Sequence, residues 1–367
     1  MPKGRRFYMI IRRSLRVSQS RIKPSIPCLV ASIPVSGQVA SLAVNSLTNR
    51  VYFLYGDNKL GVLNAQTNTM LTTLRTGQLP TDVVINQRTN RIYVSNFFDG
   101  TVSVINGATN RVINTIKVGQ RCDNIAVHTR TNLIYVSTIS LSSKIAYVVV
   151  INGKTNKVQT KIKFIGRPSQ LLINETTNRI YVTNTVSDTL SVIDGLNHTI
   201  LRTVKVGSNP VITPVLDKTT HRLYVANNLS RFTSAVHLRR TFKARHIQLG
   251  RRQRDIVLNP ITHRIYVSIA QVSGTGRVFA ISGKTNRVLA KLTVPTFTSV
   301  LINPRTNHLF ITDSPESGSS TLFVYHGSSL KLFTKLKLGK GAGSMVLNPR
   351  TNRVYVGGEN VLSVIQD

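Results

Sequence analysis

Acidic residues, cysteine and tryptophan are scarce in this chain: 13 Asp+Glu, 2 Cys and no Trp among 367 residues. Two cysteines, Cys28 and Cys122, exclude a disulfide scaffold and a cysteine-rich zinc site. Long apolar runs are missing as well. The longest is 145–151, seven residues, so no helix here spans a bilayer. Residues 1–27 contain no acid but carry Lys3, Arg5, Arg6, Arg12, Arg13, Arg16, Arg21 and Lys23. Their apolar stretch at 7–11 is too short for a secretory signal, so a cytoplasmic location is the default expectation. This segment reads as a basic tail outside the fold, with an organelle-targeting leader and a polyanion-binding arm as the other readings.

What is abundant is positive charge. With 48 Lys+Arg the formal net charge is +35 and the pI about 11.3, while hydrophobic residues still make up 41%. That fraction supplies a packed core, so the chain is no disordered polycation.

One phrase recurs through the sequence: Thr48-Asn49-Arg50-Val51-Tyr52, Thr89-Asn90-Arg91-Ile92-Tyr93 and six further copies. Their aromatic positions 52, 93, 135, 181, 224, 266, 310 and 355 lie 41, 42, 46, 43, 42, 44 and 45 residues apart. A period of this length with short β-branched runs predicts propeller blades of four antiparallel strands. In the second unit the strands are expected at 82–86, 91–95, 101–105 and 111–118, joined by turns rich in Asn, Gly, Asp and Thr. Near-continuous apolar runs such as Val83-Val84-Ile85 suit sheets covered on both faces. The recurring Tyr is expected to pack between blades rather than to stack a ligand. The last unit holds strands at 344–348, 353–356 and 362–365 and lacks a fourth, whereas 28–35 resembles a fourth strand without its first three. Pairing the two fragments gives eight blades in a single domain over 28–367, with no open sheet edge.

Tyr181-Val182-Thr183-Asn184 is the tetrapeptide that names the YVTN-repeat β-propellers. Tyr93-Val94-Ser95-Asn96, Val192-Ile193-Asp194-Gly195 and Lys205-Val206-Gly207 also resemble that family's strand endings. The resemblance covers 28–367. It implies a propeller fold and a binding or surface role without shared catalytic residues, in a family whose members are often exported and commonly have seven blades.

The charge has a predicted geometry. Turns between first and second strands and between third and fourth strands share one end of each blade. They supply Arg50, Arg88, Arg91, Arg130, Arg179, Arg222, Arg264, Arg305, Arg350 and Arg353, then Arg111, Lys154, Lys157, Lys284 and Arg287. The opposite end receives Arg121, Arg167, Arg251, Arg252, Arg254 and Lys340 from the links between blades. The densest run, 231–254, contains Arg231, Arg239, Arg240, Lys243, Arg245, Arg251, Arg252 and Arg254 with no acid. In it His237-Leu238-Arg239-Arg240 replaces the usual Val-Ile-Asp-Gly. Arg239, Arg240, Lys243, Arg245, Arg251, Arg252 and Arg254, with Arg121 and Arg167, are the candidate contacts to a polyanion. Nucleic acid, a cell-wall polyanion or an acidic protein would fit, without sequence preference and with steep salt dependence. A monomer is expected.

At the start of the first strands stand Ser41, Asp82, Asn124, Gln170, Thr213, Asp255, Ser299 and Ser344, all small or polar. They are expected to ring one mouth of the central channel. This is where a competing reading, a lactonase-like or lyase-like enzyme, would place its ligand. No histidine pair has zinc-ligand spacing, and no phosphate loop or nucleophile elbow occurs. No catalytic residue, metal or cofactor is assigned.

Overall fold

The computed structural model describes residues 26–141, 144–239, 242–270, 275–295, 297–313, 315 and 318–367. Residues 1–25, and with them nearly all of the basic tail, lie outside the described residues. The described residues form strands and turns, with no helix among them. Six sheets, spanning 80–117, 121–165, 168–205, 215–248, 253–295 and 297–337, each contain four antiparallel strands in chain order. In the 80–117 sheet the strands are Pro80–Asn86, Arg91–Asn96, Thr101–Asn106 and Arg111–Lys117, within two residues of the sequence expectation.

The remaining sheet has seven strands. Their order is Met345–Asn348, Arg353–Gly357, Glu359–Gln366, Cys28–Asn45, Arg50–Tyr55, Lys59–Asn64 and Thr69–Arg75. The chain's first strand pairs with its last, Leu29 opposite Ile365 and Ile33 opposite Leu362. The same 18-residue strand then pairs, over Val39–Asn45, with Arg50–Tyr55. The register breaks between Pro34 and Gln38, where Gly37 has φ 95°. A Cβ at Gly37 would lie 2.8 Å from the Cα of Gly56, so only glycine fits this bend.

Neighbouring sheets pack face to face. Tyr52, Leu54, Leu60 and Val62 meet Val83, Ile85, Ile92 and Val94 of the next sheet, and the pattern repeats around the molecule. Phe310, Leu322 and Val324 close on Val354, Val356 and Ile365 of the seven-stranded sheet. That sheet also packs on itself: Val51, Phe53 and Leu63 from one half cluster with Tyr355, Leu362 and Val364 from the other. Each buried aliphatic side chain stabilises this arrangement by about 2 kcal/mol.

The recurring phrase is explained by what its side chains do across these junctions. Its Asn takes the left-handed conformation (φ 50° at Asn90, 57° at Asn307) that closes the turn. Where a first strand ends in Asn, that side chain accepts backbone N–H groups of the turn, as Asn259 Oδ1 does from Ile261 (2.9 Å) and Thr262 (3.3 Å). The same side chain donates through Nδ2 to the phrase Asn of the following unit. Asn45 reaches Asn90 (2.9 Å), Asn86 reaches Asn132 (2.7 Å), Asn259 reaches Asn307 (2.8 Å) and Asn348 reaches Asn49 (2.9 Å). At one junction that is not Asn–Asn, Asp217 meets His263 Nδ1 at 3.0 Å. Asn259 is fully buried. Asn259→Ala is therefore expected to cost about 2 kcal/mol, because a buried carbonyl and two turn N–H groups lose their partner together. Urea unfolding of the variant checks this.

The phrase Arg and Tyr act on the next unit. Tyr266 Oη donates to Gly327 O at 2.8 Å, and Tyr224 Oη to Asn286 Oδ1 at 2.8 Å. Arg264 Nη1 donates to Gly327 O (3.1 Å) and Ser328 O (2.5 Å), and Arg353 Nη1 to Ala65 O (2.6 Å). Arg50 grips Gly107 O and Arg222 grips Gly283 O in the same way. These arginines clamp one unit to the next. By sequence alone they count only as surface charge.

Candidate functional site

Two features of this frame have chemistry: a ring of polar residues on the first strands, and the end of the molecule where the turns gather. Bulges re-aim first strands beside members of this polar set. Registers shift between Pro80 and Asp82, Gln253 and Asp255, and Phe297 and Ser299. Adjacent members then bond to one another. Ser41 Oγ donates to Asp82 Oδ1 at 3.0 Å, and Asn124 Nδ2 to Asp82 Oδ2 and to Gln170 Oε1, both at 3.2 Å. Thr213 Oγ1 donates to Gln170 Oε1 at 2.5 Å, and Ser299 Oγ to Asp255 Oδ2 at 2.8 Å. Ser344 turns instead to the carbonyl of Ala40. Thr213 and Ser344 precede their strands, which begin at Val215 and Met345.

Burial pushes the Asp82 carboxyl up to about 6 against the opposing hydrogen bonds from Ser41 and Val83, and it raises Asp255 too. A carboxyl whose folded pKa exceeds its unfolded value of about 3.9 contributes stability at about pH 4 and loses it as pH rises through 6. Asp82→Asn removes the charge. The variant is expected to exceed the wild type by about 1–2 kcal/mol at neutral pH and to match it near pH 4. Thermal melts at the two pH values read the difference. Among the described residues no three His, Cys, Asp or Glu side chains are placed to hold a metal ion. The Cys122 thiol is buried, 3.2 Å from Asn96 O and Thr101 O, and burial raises its pKa to about 12.

The turn end collects cations. Arg88, Arg111, Arg130, Lys154, Lys157, Lys218, Arg239, Lys284, Arg287, Arg305, Lys331 and Arg350 are all exposed there. Carboxylates at that end are engaged: Glu175 accepts from Thr129 N (2.6 Å), Asp194 pairs with Arg179 (3.2 Å), and Asp217 and Asp367 are buried against His263 and His308. The link end is more mixed. Arg167 pairs with Asp123 at 3.2 Å and Lys340 with Glu359 at 3.3 Å. Arg121 lies over Phe97 and Phe98, 5.3 and 5.4 Å from their ring centres.

The basic run 231–254 is not one patch. Its strands Phe232–His237 and Ala244–Gln248 are antiparallel, with Val236 opposite Ala244 and Phe232 opposite Gln248. Arg239, Lys243 and Arg245 therefore gather at the turn end, while Arg231, Arg251, Arg252 and Arg254 lie at the link end, roughly 15 Å away at ~3.3 Å per strand residue. Arg240 lies outside the described residues.

No family model matches the chain, and no curated protein matches it. Solved structures do. The chain is similar to the computationally designed Ika8 protein, with 13% identity over 91% of this chain and 98% of that one and a TM-score of 0.72. It is also similar to the dihydro-heme d1 dehydrogenase NirN in complex with DHE, with 11% identity over 85% and 69% and a TM-score of 0.71. At these identities the likeness concerns architecture alone. The fold is β-propeller-like. Repeated four-stranded sheets stand in for blades, and the polar ring and the turn end are the places on this frame where function has room.

Proposed function

We propose that this chain is an eight-bladed propeller of the YVTN-repeat kind, acting as a non-enzymatic binding protein whose turn end engages a polyanion. The blade count follows if the seven-stranded sheet is taken as two blades sharing the strand Cys28–Asn45. The self-packing of its halves and the Asn348–Asn49 bond support that. The observation that carries the binding role is the fate of the acids. Exposed Arg and Lys occur at both ends, but at the turn end the acids are consumed by internal partners, whereas the link end leaves Asp57 exposed. Such a face produces a long-range field that attracts anions whatever their sequence. Base readout has no support: the described residues include no helix for a groove, and Tyr52, Tyr93, Tyr224 and Tyr266 are buried rather than offered for stacking.

The competing reading, an enzyme at the channel mouth, draws on the elevated Asp82 carboxyl. Against it, both Asp82 oxygens accept from Ser41, Val83 and Asn124. Those are the bonds of a structural ring, and they leave little of the carboxylate for a substrate proton.

The test is binding of the purified protein to immobilised heparin and to a single-stranded DNA oligonucleotide across a salt series. Binding that falls steeply between about 50 and 300 mM salt, with no preference among base sequences, is the expected outcome. Retention indifferent to salt, or no retention at low salt, overturns the proposal.

A further inference from the structure

Arg50, Arg222, Arg264 and Arg353 clamp their neighbours, whereas the junction of the 168–205 and 215–248 sheets has no such clamp among the described residues and holds a cavity. In five units the turn after the third strand carries a glycine, Gly107, Gly153, Gly195, Gly283 or Gly327; a Cβ at Gly327 would lie 2.8 Å from Tyr266 Oη of the preceding unit, and one at Gly153 the same distance from Tyr93 Oη. At the junction of the 168–205 and 215–248 sheets that glycine is Leu238, whose N–H still bonds His221 O at 2.8 Å. The larger side chain lines the cavity beside Tyr181 and Leu216. Arg179, which would clamp it, folds back onto Asp194 and Asn178 O at 3.2 Å each.

This notch has a volume of about 190 Å³ and opens on the turn end. Val192, Leu201, Leu216, Leu238 and Phe242 form its apolar lining, with Lys218, Arg202 and Arg239 at the rim. The Arg202 guanidinium lies 5.0 Å from the centre of the Phe242 ring. A cavity near 150 Å³ holds one benzene ring, so this one takes a single aromatic or branched aliphatic side chain.

We propose that the notch is the specificity pocket of the turn end, and that its occupant is an acidic peptide segment that inserts one apolar side chain while its carboxylates meet the rim cations. This rests on the polyanion reading above and names its partner class. Charge complementarity favours the peptide: a nucleic acid would satisfy the rim but brings no isolated apolar group for the lining. A chain lying across the turn end from the notch would also meet a second basic cavity, about 730 Å³, lined by Arg222, His237 and Arg245.

The experiment compares three labelled probes of equal charge by fluorescence anisotropy: an acidic peptide with a central phenylalanine, the same peptide with serine there, and single-stranded DNA. Wild type is expected to bind the phenylalanine peptide about tenfold or more tightly than the serine peptide, the effect of burying one aromatic ring. Leu201 is 47% exposed, so Leu201→Trp can fill the notch from its rim without disturbing the core. That variant is expected to lose the tenfold preference while holding the serine peptide and DNA as before. Equal binding of the two peptides by wild type, with salt-sensitive binding of all probes, overturns the notch and leaves the polyanion reading standing. A preference that survives Leu201→Trp, or a DNA probe bound more tightly than either peptide, also overturns it. Failure of all three probes to bind overturns both.

Discussion

Replacing Arg88, Arg130, Lys218 and Arg305 together with serine is expected to weaken polyanion binding about 10²–10³-fold at about 150 mM salt. These four side chains are exposed on turns between first and second strands, and none belongs to the clamps that join the units. The variant should therefore melt like the wild type. The magnitude follows from counterion release. Each phosphate contact contributes ~0.9 to the slope of log affinity against log salt, so four lost contacts flatten that slope by roughly three to four. Titrations of a DNA oligonucleotide at several salt concentrations measure both quantities. Arg251→Ser with Arg252→Ser and Arg254→Ser, on the link end, is the matched comparison and is expected to leave the slope nearly unchanged. If the link-end variant loses the affinity instead, the turn end is not the binding face.

Removing residues 1–35 is expected to abolish cooperative folding. The segment includes the half of the first strand that pairs with Glu359–Gln366, from Cys28 opposite Gln366 to Pro34 opposite Val361. Its loss exposes the last strand as a bare edge and strips Ile33 from the cluster with Tyr355, Leu362 and Val364. Half a dozen ladder hydrogen bonds at about 1 kcal/mol each, plus that burial, approach the 5–15 kcal/mol by which domains are stable at all. Aggregation through the open edge should follow. Calorimetry and size-exclusion chromatography read the outcome; a soluble variant with a sharp transition near the wild-type midpoint would show that the ladder between first and last strands is dispensable.

The repeating units could be read from the chain because each carries its own turn chemistry at a fixed interval. The strands Arg91–Asn96 and Thr101–Asn106 extend one residue past the expected boundaries, where an Asn completes the ladder before the turn. The polar ring was equally legible: Ser41, Asp82, Asn124 and Gln170 occupy equivalent positions, and equivalence in a repeat becomes adjacency in space. What the sequence hid is long-range. Arg50 meets a carbonyl 57 residues away and Arg264 one 63 residues away, and composition counts both only as charge. The run 231–254 misleads for the opposite reason, since an antiparallel hairpin carries near neighbours in sequence to opposite ends of a sheet. The departure at Leu238 was visible, yet its consequence depends on Arg179 and Tyr181 of the preceding unit.

Lysine footprinting tests the turn-end binding face most directly. The protein is acetylated at low reagent excess with and without a saturating heparin oligosaccharide, and modified lysines are quantified by mass spectrometry. Lys154, Lys157, Lys218, Lys284 and Lys331 on the turns should be shielded, while Lys117, Lys144, Lys205 and Lys340, exposed at the other end, should react as in the free protein. Shielding of the second group, or equal reactivity everywhere in the bound state, would contradict the account.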